Sequence, residues 1–352
     1  MTNSLAPLAG ALAIVSTSLL VPGTAGAQER ILYNCFHPPQ YYTCAKVLPE
    51  MAARIEEATE GRVKMSIPPK SLAAATEQME GVVNGVMDAA TSFTPFIASE
   101  TTGLQLTVLP YIGRKDAVAA SRALYRTYHT FFAGLPGEFE NVELLGIYVV
   151  NGSDMWSLND TPIMTVEDLA NRKMFAVAGS AANVIKETGS AVVAGPAVQM
   201  LESISNGVVD GYAGVTWDVL EAFKTGQYTK SGTFTKRKLT QPAFAMFINK
   251  DKWGRIAPED QEAIKAVLDE DFSAWVGGFA NAQYDFAREK YSAAGVQSFD
   301  ASPEFEAALV DLAKDHVEAW KARVAEMGVN GDEVIAFFEE AYTAALAEGT
   351  NN

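Results

Sequence analysis

One short pattern occurs twice, and it constrains the fold more than any other feature of the chain. Residues 84–93 read NGVMDAATSF, and residues 206–217 read NGVVDGYAGVTW. Each copy runs Asn-Gly, Val, a second apolar residue and an Asp, and then goes on toward aromatic residues. Gly, and after it Asn, is the residue that ends helices in a left-handed conformation. The segments before both copies, about 74–83 and 197–206, carry helical periodicity, and the residues after each Asp are strand-like. The chain therefore stops a helix at Asn-Gly and runs a strand inward at two distant places. A recurring unit of this kind argues for two lobes of like build, and 352 residues suit two lobes better than one domain.

The rest of the chain keeps the same rhythm. RILYNC (30–35) reads as a strand, residues 44–60 as an amphipathic helix with Val47, Met51 and Ile55 on one face, and RVKMSI (62–67) as a second strand. Alternation of strand and helix implies parallel pairing through crossovers. A helix over 115–133 and a buried strand over 142–150 come next. In MTVEDLAN, Thr165 with Asp168 three residues on is a capping signal for a short helix. KMFAVAG (173–179) reads as a strand, the next ten residues as a helix ended by Gly189, and AFAMFINKDKW (243–253) as a strand leading into a helix. From 258 to 294 the helical pattern barely breaks, apart from Gly277-Gly278. Two more helices are expected over 303–328 and 331–347.

The first 27 residues carry no charged side chain, and 8–21 are apolar but too short to span a bilayer comfortably. Ala25-Gly26-Ala27 suits signal-peptidase cleavage before Gln28, so export is expected, although the leading MTNSLAP lacks the usual Lys or Arg. A membrane anchor is the competing reading, and no flanking charge supports it. The formal charge of −16 opposes binding to nucleic acid or to an anionic membrane surface. The chain has two cysteines, Cys35 and Cys44, in NCFHPPQYYTC. In an exported protein they read as a disulfide; a metal site using His37 and a pair of free thiols remain as alternatives.

Catalytic motifs are nearly absent. No nucleophile elbow, zinc-binding HExxH, phosphate loop or dinucleotide fingerprint occurs. The three histidines, His37, His129 and His316, lie far apart in the sequence. No cofactor, metal or catalytic residue is expected. A carboxylate-based periplasmic enzyme stays as a remote alternative, but nothing selects a pair among 43 acidic residues. The aromatic residues say more. Phe93, Trp156, Phe175, Tyr212 and Trp217 all fall near strand ends or the turns after them, where open α/β sheets bind ligands.

Several segments taken together resemble the solute-binding proteins of TRAP transporters, the periplasmic receptors of the dicarboxylate-receptor type. They are EEATEGRVKMSIPPKSL, EQMEGVVNGVMDAA, LPYIGRKD, TPIMTVEDLANRKMFAVAGS, LESISNGVVDGYAG and AFAMFINKDKW, in the family's order. The resemblance implies an α/β, two-lobed, periplasmic-binding-protein-like fold with a long helix bridging the lobes. The expected layout is a signal peptide over 1–27 and lobe I over 28–150, completed by about 235–257. Lobe II covers 151–234, the bridging helix 258–294, and C-terminal helices 295–352. The implied partners are a small-molecule ligand and membrane permease subunits, with the receptor itself a monomer in the periplasm.

Departures from the family pattern shape the expected ligand. The position of the family's carboxylate-clamping Arg falls on Phe175, and that of a second contact, an Asn, falls on Gly214. Burying an unpaired carboxylate costs several kcal/mol, whereas a cation over a good ring gains roughly 0.5–2 kcal/mol. The expectation is therefore a small amine or quaternary ammonium ligand, of ethanolamine, choline or betaine type. Phe175, Trp156, Trp217 and Tyr212 form the cage in this reading. Phe93 is a further contact, Glu77 or Asp154 is the counter-charge, and Phe36 and Asn249 are weaker contacts. The alternative is a carboxylate or aromatic acid held by another base, Arg114 or Lys173.

Overall fold

The computed structural model describes residues 28–349, together with Met1 and Thr2. Apart from those two residues, the leader expected over 1–27 lies outside the described residues. No helix among the described residues is long and apolar enough to cross a membrane.

Two sheets form two α/β lobes. The first contains strands β1 (Glu29–Asn34), β2 (Val63–Ser66), β3 (Ala89–Phe93) and β4 (Val142–Val149). The second contains β5 (Asp154–Ser157), β6 (Lys173–Val177), β7 (Ala191–Gly195), β8 (Gly211–Val215) and β9 (Ser231–Phe234). The chain then returns to the first sheet as β10 (Ala243–Asn249) and reaches the second again as β11 (Gln297–Asp300). The strand orders are β2-β1-β3-β10-β4 and β11-β9-β5-β8-β6-β7. Each sheet thus holds one strand that comes after a passage from the other lobe. β10 runs antiparallel between β3 and β4, and β5 antiparallel between β8 and β9.

The repeated motif does the same job in both lobes. The helices Gln78–Val83 and Met200–Ser205 end at Asn84 and Asn206, and Gly85 and Gly207 come next with φ of 73° and 64°. Val86 and Val208 point to solvent, while Met87 and Val209 are buried. The Asp then clips the new strand to its parallel neighbour. Asp88 Oδ2 accepts the Leu32 amide at 2.8 Å, and the Asp88 amide donates to the Leu32 carbonyl. Asp210 repeats both bonds with Lys173. A charged acceptor makes such a bond roughly twice as strong as a neutral pair.

Two helices bridge the lobes. In Glu270–Ala293, Phe272, Val276 and Ala280 pack into lobe I, and Tyr284 and Ala287 into lobe II. In Pro303–Glu326 the order is reversed: Phe305, Leu309 and Ala313 pack into lobe II, Trp320 and Val324 into lobe I. The unbroken helix expected over 258–294 is in fact two, Pro258–Val267 and Glu270–Ala293. The break falls at Leu268, and the Asp269 carboxylate caps the second helix through the Phe272 amide. Gly277 does not break it. A Cβ there would meet the Ala117 carbonyl oxygen at 2.6 Å, so glycine lets the bridging helix touch the helix Ala117–Phe131. The segment beyond 294 also differs from expectation by the strand β11, whose QSFD sequence has no apolar alternation to announce it.

The connections between lobes at 150–153 and 235–242 are tied to each other. The Ser153 amide donates to the Thr240 carbonyl at 2.8 Å, and the Leu239 amide to the Ser153 carbonyl at 3.2 Å. Beside them, Lys238 Nζ lies 2.8 and 3.0 Å from the two oxygens of Asp154, with both side chains buried. Asp154 is therefore not a ligand counter-charge as expected from the sequence; its charge is spent on the hinge. Burial pushes its carboxyl up to about 6, against the opposing pull of Lys238. Replacing Lys238→Met leaves a buried carboxylate without its cation and is expected to cost about 3–5 kcal/mol. Urea unfolding measures this loss, and adding Asp154→Leu should recover most of it.

Candidate ligand-binding cleft

A cleft lies between the lobes, at the carboxyl ends of the parallel strands. Lobe I supplies Phe93 from the end of β3, Phe96 just beyond it, and Phe244 from the start of β10. Because β10 is antiparallel, its first residues lie where its neighbours end: Phe244 pairs with Phe93 in register. Lobe II supplies Val177 from the end of β6, Gly214, Val215 and Thr216 from the end of β8, and Val219 and Phe223 from the helical segment after it. Free space inside measures about 80 Å³. A single water needs only about 10–15 Å³ on the same measure, so several waters or one ring-sized ligand fit.

The Cys35–Cys44 pair is a disulfide, with Cα atoms 5.9 Å apart. The loop it closes carries Phe36, His37 and Tyr41, which all face the cleft. The His37 ring stacks on Phe36 at 4.1 Å and sits 5.6 Å from Phe244. Phe244 in turn lies 5.6 Å from Phe93 and stacks on Tyr148 at 5.0 Å. The two sulfurs lie near His37, but they are bonded to each other, which leaves the imidazole as the sole ligand of that trio and removes the metal alternative.

Seven rings line the cleft, and no lysine or arginine is among the lining residues. Three polar groups break the apolar surface. His37 Nδ1 pairs with Thr43 Oγ1 at 3.1 Å, and burial lowers the imidazole to about 3, so it is neutral at physiological pH. Tyr41 donates its hydroxyl to Asp218 Oδ2 at 2.7 Å, and Thr216 donates to Asp218 Oδ1. Burial raises the Asp218 carboxyl above its ordinary value, against the pull of those two donors. A carboxylate thus stands one residue behind the wall.

Most of the aromatic cage expected from the sequence is not at the cleft. Trp156, Phe175, Tyr212 and Trp217 are each at most 1% exposed and form the interior of lobe II. Trp156 Nε1 donates to the Val215 carbonyl, Tyr212 pairs with Thr229, and Trp217 stacks on Phe234 at 5.7 Å. The reason is register. Phe175 and Val177 share a face of β6, but only Val177, two residues on, reaches the cleft. Gly214 does line it, with φ of 85° and the Ala181 methyl 2.8 Å from where a Cβ would stand, so this backbone has no room for a side chain.

Other expected contacts also lie elsewhere. Glu77 is exposed, and Ala75 faces the cleft instead. Asn249 ends β10, five residues or about 17 Å from Phe244, where it caps the helix Lys250–Trp253 through the Asp251 and Lys252 amides. Arg114 is held by Glu339 and the Ile112 carbonyl, and Lys173 is exposed at the start of β6, away from the cleft. Phe93 and Phe36 do line the cleft. The sequence reading missed His37, Tyr41, Phe96, Phe223 and Phe244. The cystine loop was the available signal for the first two, and the antiparallel return strand for Phe244.

Comparison with known proteins agrees with this architecture. Residues 37–323 match the family described as bacterial extracellular solute-binding protein, family 7. Over 319 residues the chain is 30% identical to the outer membrane transporter protein TsaT of Comamonas testosteroni, covering 90% of this chain and 93% of that protein. A TRAP periplasmic solute-binding protein from Bordetella bronchiseptica, with bound (R)- and (S)-mandelate, superposes with a TM-score of 0.83. It is 23% identical, and the match covers 90% of this chain and 99% of that one. A TRAP solute-binding protein from Rhodoferax ferrireducens, in complex with copurified benzoate, superposes at 0.78 with 18% identity over 91% of this chain and 99% of that one.

The depressed imidazole has a stability consequence. Between pH 6.5 and about 3 the unfolded chain binds a proton at His37 that the folded chain refuses. Stability from this group is therefore intact above pH 6.5 and is lost as pH falls, by up to about 1.4 kcal/mol per pH unit. Thermal unfolding of the His37→Phe variant between pH 7.5 and 4.5 should show a shallower decline than the parent chain.

Proposed function

We infer that this chain, which belongs to the bacterial extracellular solute-binding proteins of family 7 and is a TRAP-type solute receptor, captures a small aromatic acid between its lobes. The observation that carries this reading is a cleft walled by seven rings, one of them the His37 imidazole, which can donate to a carboxylate. A benzoate- or mandelate-sized ring would be held by offset and edge contacts, each worth about 0.5–1.5 kcal/mol beyond the area buried. The carboxylate would be met by the neutral His37, whose Nε2 has no hydrogen-bond partner among the described residues, rather than by Arg114 or Lys173. The bound solutes of the Bordetella and Rhodoferax proteins support the same class. Export through the N-terminal leader, a monomeric state and delivery of the solute to permease subunits complete the proposal.

A second reading is favoured by one observation, the Asp218 carboxylate behind Tyr41 and Thr216. It would attract a small amine or quaternary ammonium ion, with Phe36, Phe93 and Phe244 as the cage in place of the residues named from the sequence.

Thermal shift on protein unfolded and refolded to strip any carried solute separates the two. A ligand at a hundred times its Kd adds about 2.7 kcal/mol, so 3-hydroxybenzoate, benzoate and mandelate should raise the midpoint, and choline and succinate should not. Stabilisation by choline alone would replace the first reading with the second, and stabilisation by succinate alone would remove both. Phe244→Ala should weaken the aromatic ligand by about 10- to 100-fold in isothermal titration.

A further inference from the structure

Outside the hinge and the bridging helices, one hydrogen bond among the described residues runs directly from a lobe I loop to a lobe II helix. It joins Tyr41 of the cystine loop to Asp218 of the helix Trp217–Ala222, at 2.7 Å. We propose that this bond is the latch that holds the cleft shut around its ligand, and that the Cys35–Cys44 disulfide holds Tyr41 in place to make it.

The geometry supports each step. Tyr41 lies in the cleft wall, so its ring meets the ligand while its hydroxyl reaches past it to the opposite lobe. The receiving oxygen belongs to a buried carboxylate whose other oxygen is already held by Thr216, so Asp218 presents one fixed acceptor to the incoming hydroxyl. The loop that carries Tyr41 contains Pro38 and Pro39 but no regular element before Tyr42, so its shape depends on its ends. Those ends are joined by the disulfide, and Tyr41 packs on His37 at 4.8 Å and on Tyr42 at 4.5 Å inside the ring so formed. Elsewhere between the lobes, Pro95 of lobe I sits against Gly179 of lobe II, where a Cβ would come within 2.9 Å of the Pro95 ring. That contact is apolar and offers no directional bond, which leaves Tyr41–Asp218 to set the closed register.

The latch belongs to the receptor and not to any one ligand class, so its test does not need the ligand. Spin labels carried by non-canonical residues at the exposed positions 80 and 202, one in each lobe, leave the disulfide intact and report the interlobe distance in the ligand-free protein. Hydrogen bonds to charged groups are worth enough to move an open-closed ratio by about tenfold or more. Tyr41→Phe should therefore shift the distance distribution toward longer separations by about that factor, and Asp218→Asn, which keeps an acceptor, should restore most of the closed population lost in Asp218→Ala. Tyr41→Phe combined with Asp218→Ala should add little to either alone. Reduction of the disulfide, or Cys35→Ser with Cys44→Ser, should produce the same shift in a protein that still unfolds cooperatively. Distances unchanged in Tyr41→Phe overturn the latch, and distances unchanged only on removing the disulfide overturn its positioning role. With 3-hydroxybenzoate as probe, Tyr41→Phe should raise the dissociation rate about tenfold and leave the association rate nearly unchanged. Absence of binding by the parent chain would count against the aromatic-acid reading alone, since the distance measurement decides the latch independently.

Discussion

The constraint on which everything else depends is that both sheets must aim the carboxyl ends of their parallel strands at one gap. Strand direction alone does not secure this, because a strand can slip along its neighbour, and a slip of one residue turns every side chain to the other face. Asp88 and Asp210 prevent the slip. Each accepts the amide of the neighbouring strand and returns its own amide to the same residue, which fixes the register at the point where the strand begins. The returning strand β10 then adds an antiparallel end. β10 brings Phe244 to the gap from lobe II's side of the chain, and the end of β8 brings Gly214 to Thr216 from the other sheet.

That frame makes the electrostatics of the gap intelligible. The chain buries an acid at two places near the lobes' junction, Asp154 and Asp218, and treats them differently. Asp154 has a lysine within hydrogen-bond distance, so it serves as a structural pin between the two hinge segments. Asp218 has only neutral donors, the Tyr41 and Thr216 hydroxyls and the backbone amides of Asp218 and Val219, and no cation among its hydrogen-bond partners. A buried charge held only by neutral donors is costly, and such groups occur most often where the cost is tied to function. The hydroxyl that relieves part of the cost comes from the other lobe, so closing the cleft and satisfying Asp218 are one event.

The fold is legible in the sequence because its signals are local. Asn-Gly after a helical run, Thr165 with Asp168, and the alternation of helix and strand depend on residues a few positions apart, and each appears where the pattern places it. The break at Leu268 escapes because no glycine or proline marks it, while Gly277 of the visible Gly277-Gly278 pair answers a packing demand from Ala117 that no local pattern reveals. The site is less legible, since it depends on how far along each strand the gap begins. Trp156, Phe175 and Tyr212 have the right residue types on the right strands, but they stop two or three residues short and pack into lobe II. The charges mislead for the same reason. Asp154 is an unattached acid in the sequence, and only the return of the chain at Lys238, 84 residues later, gives it a partner.

The cystine loop shows how the remaining specificity can be built from a short stretch of chain. A cleft between two lobes gains affinity when its walls are ordered before the ligand arrives, because ordering side chains on binding costs about 0.5–1.5 kcal/mol for each one fixed. Phe36, His37 and Tyr41 would be three such side chains on a loop without regular structure. The disulfide closes that loop over nine residues of sequence, and stacking of His37 on Phe36 and packing against Tyr41 and Phe244 fix the rings further. In this cleft the rigid wall is therefore on lobe I, the acid is on lobe II, and no lysine or arginine lines the space between them. For the aromatic acid proposed above, selectivity would then come from ring shape and from one neutral imidazole, by fit and hydrogen-bond direction rather than by net charge.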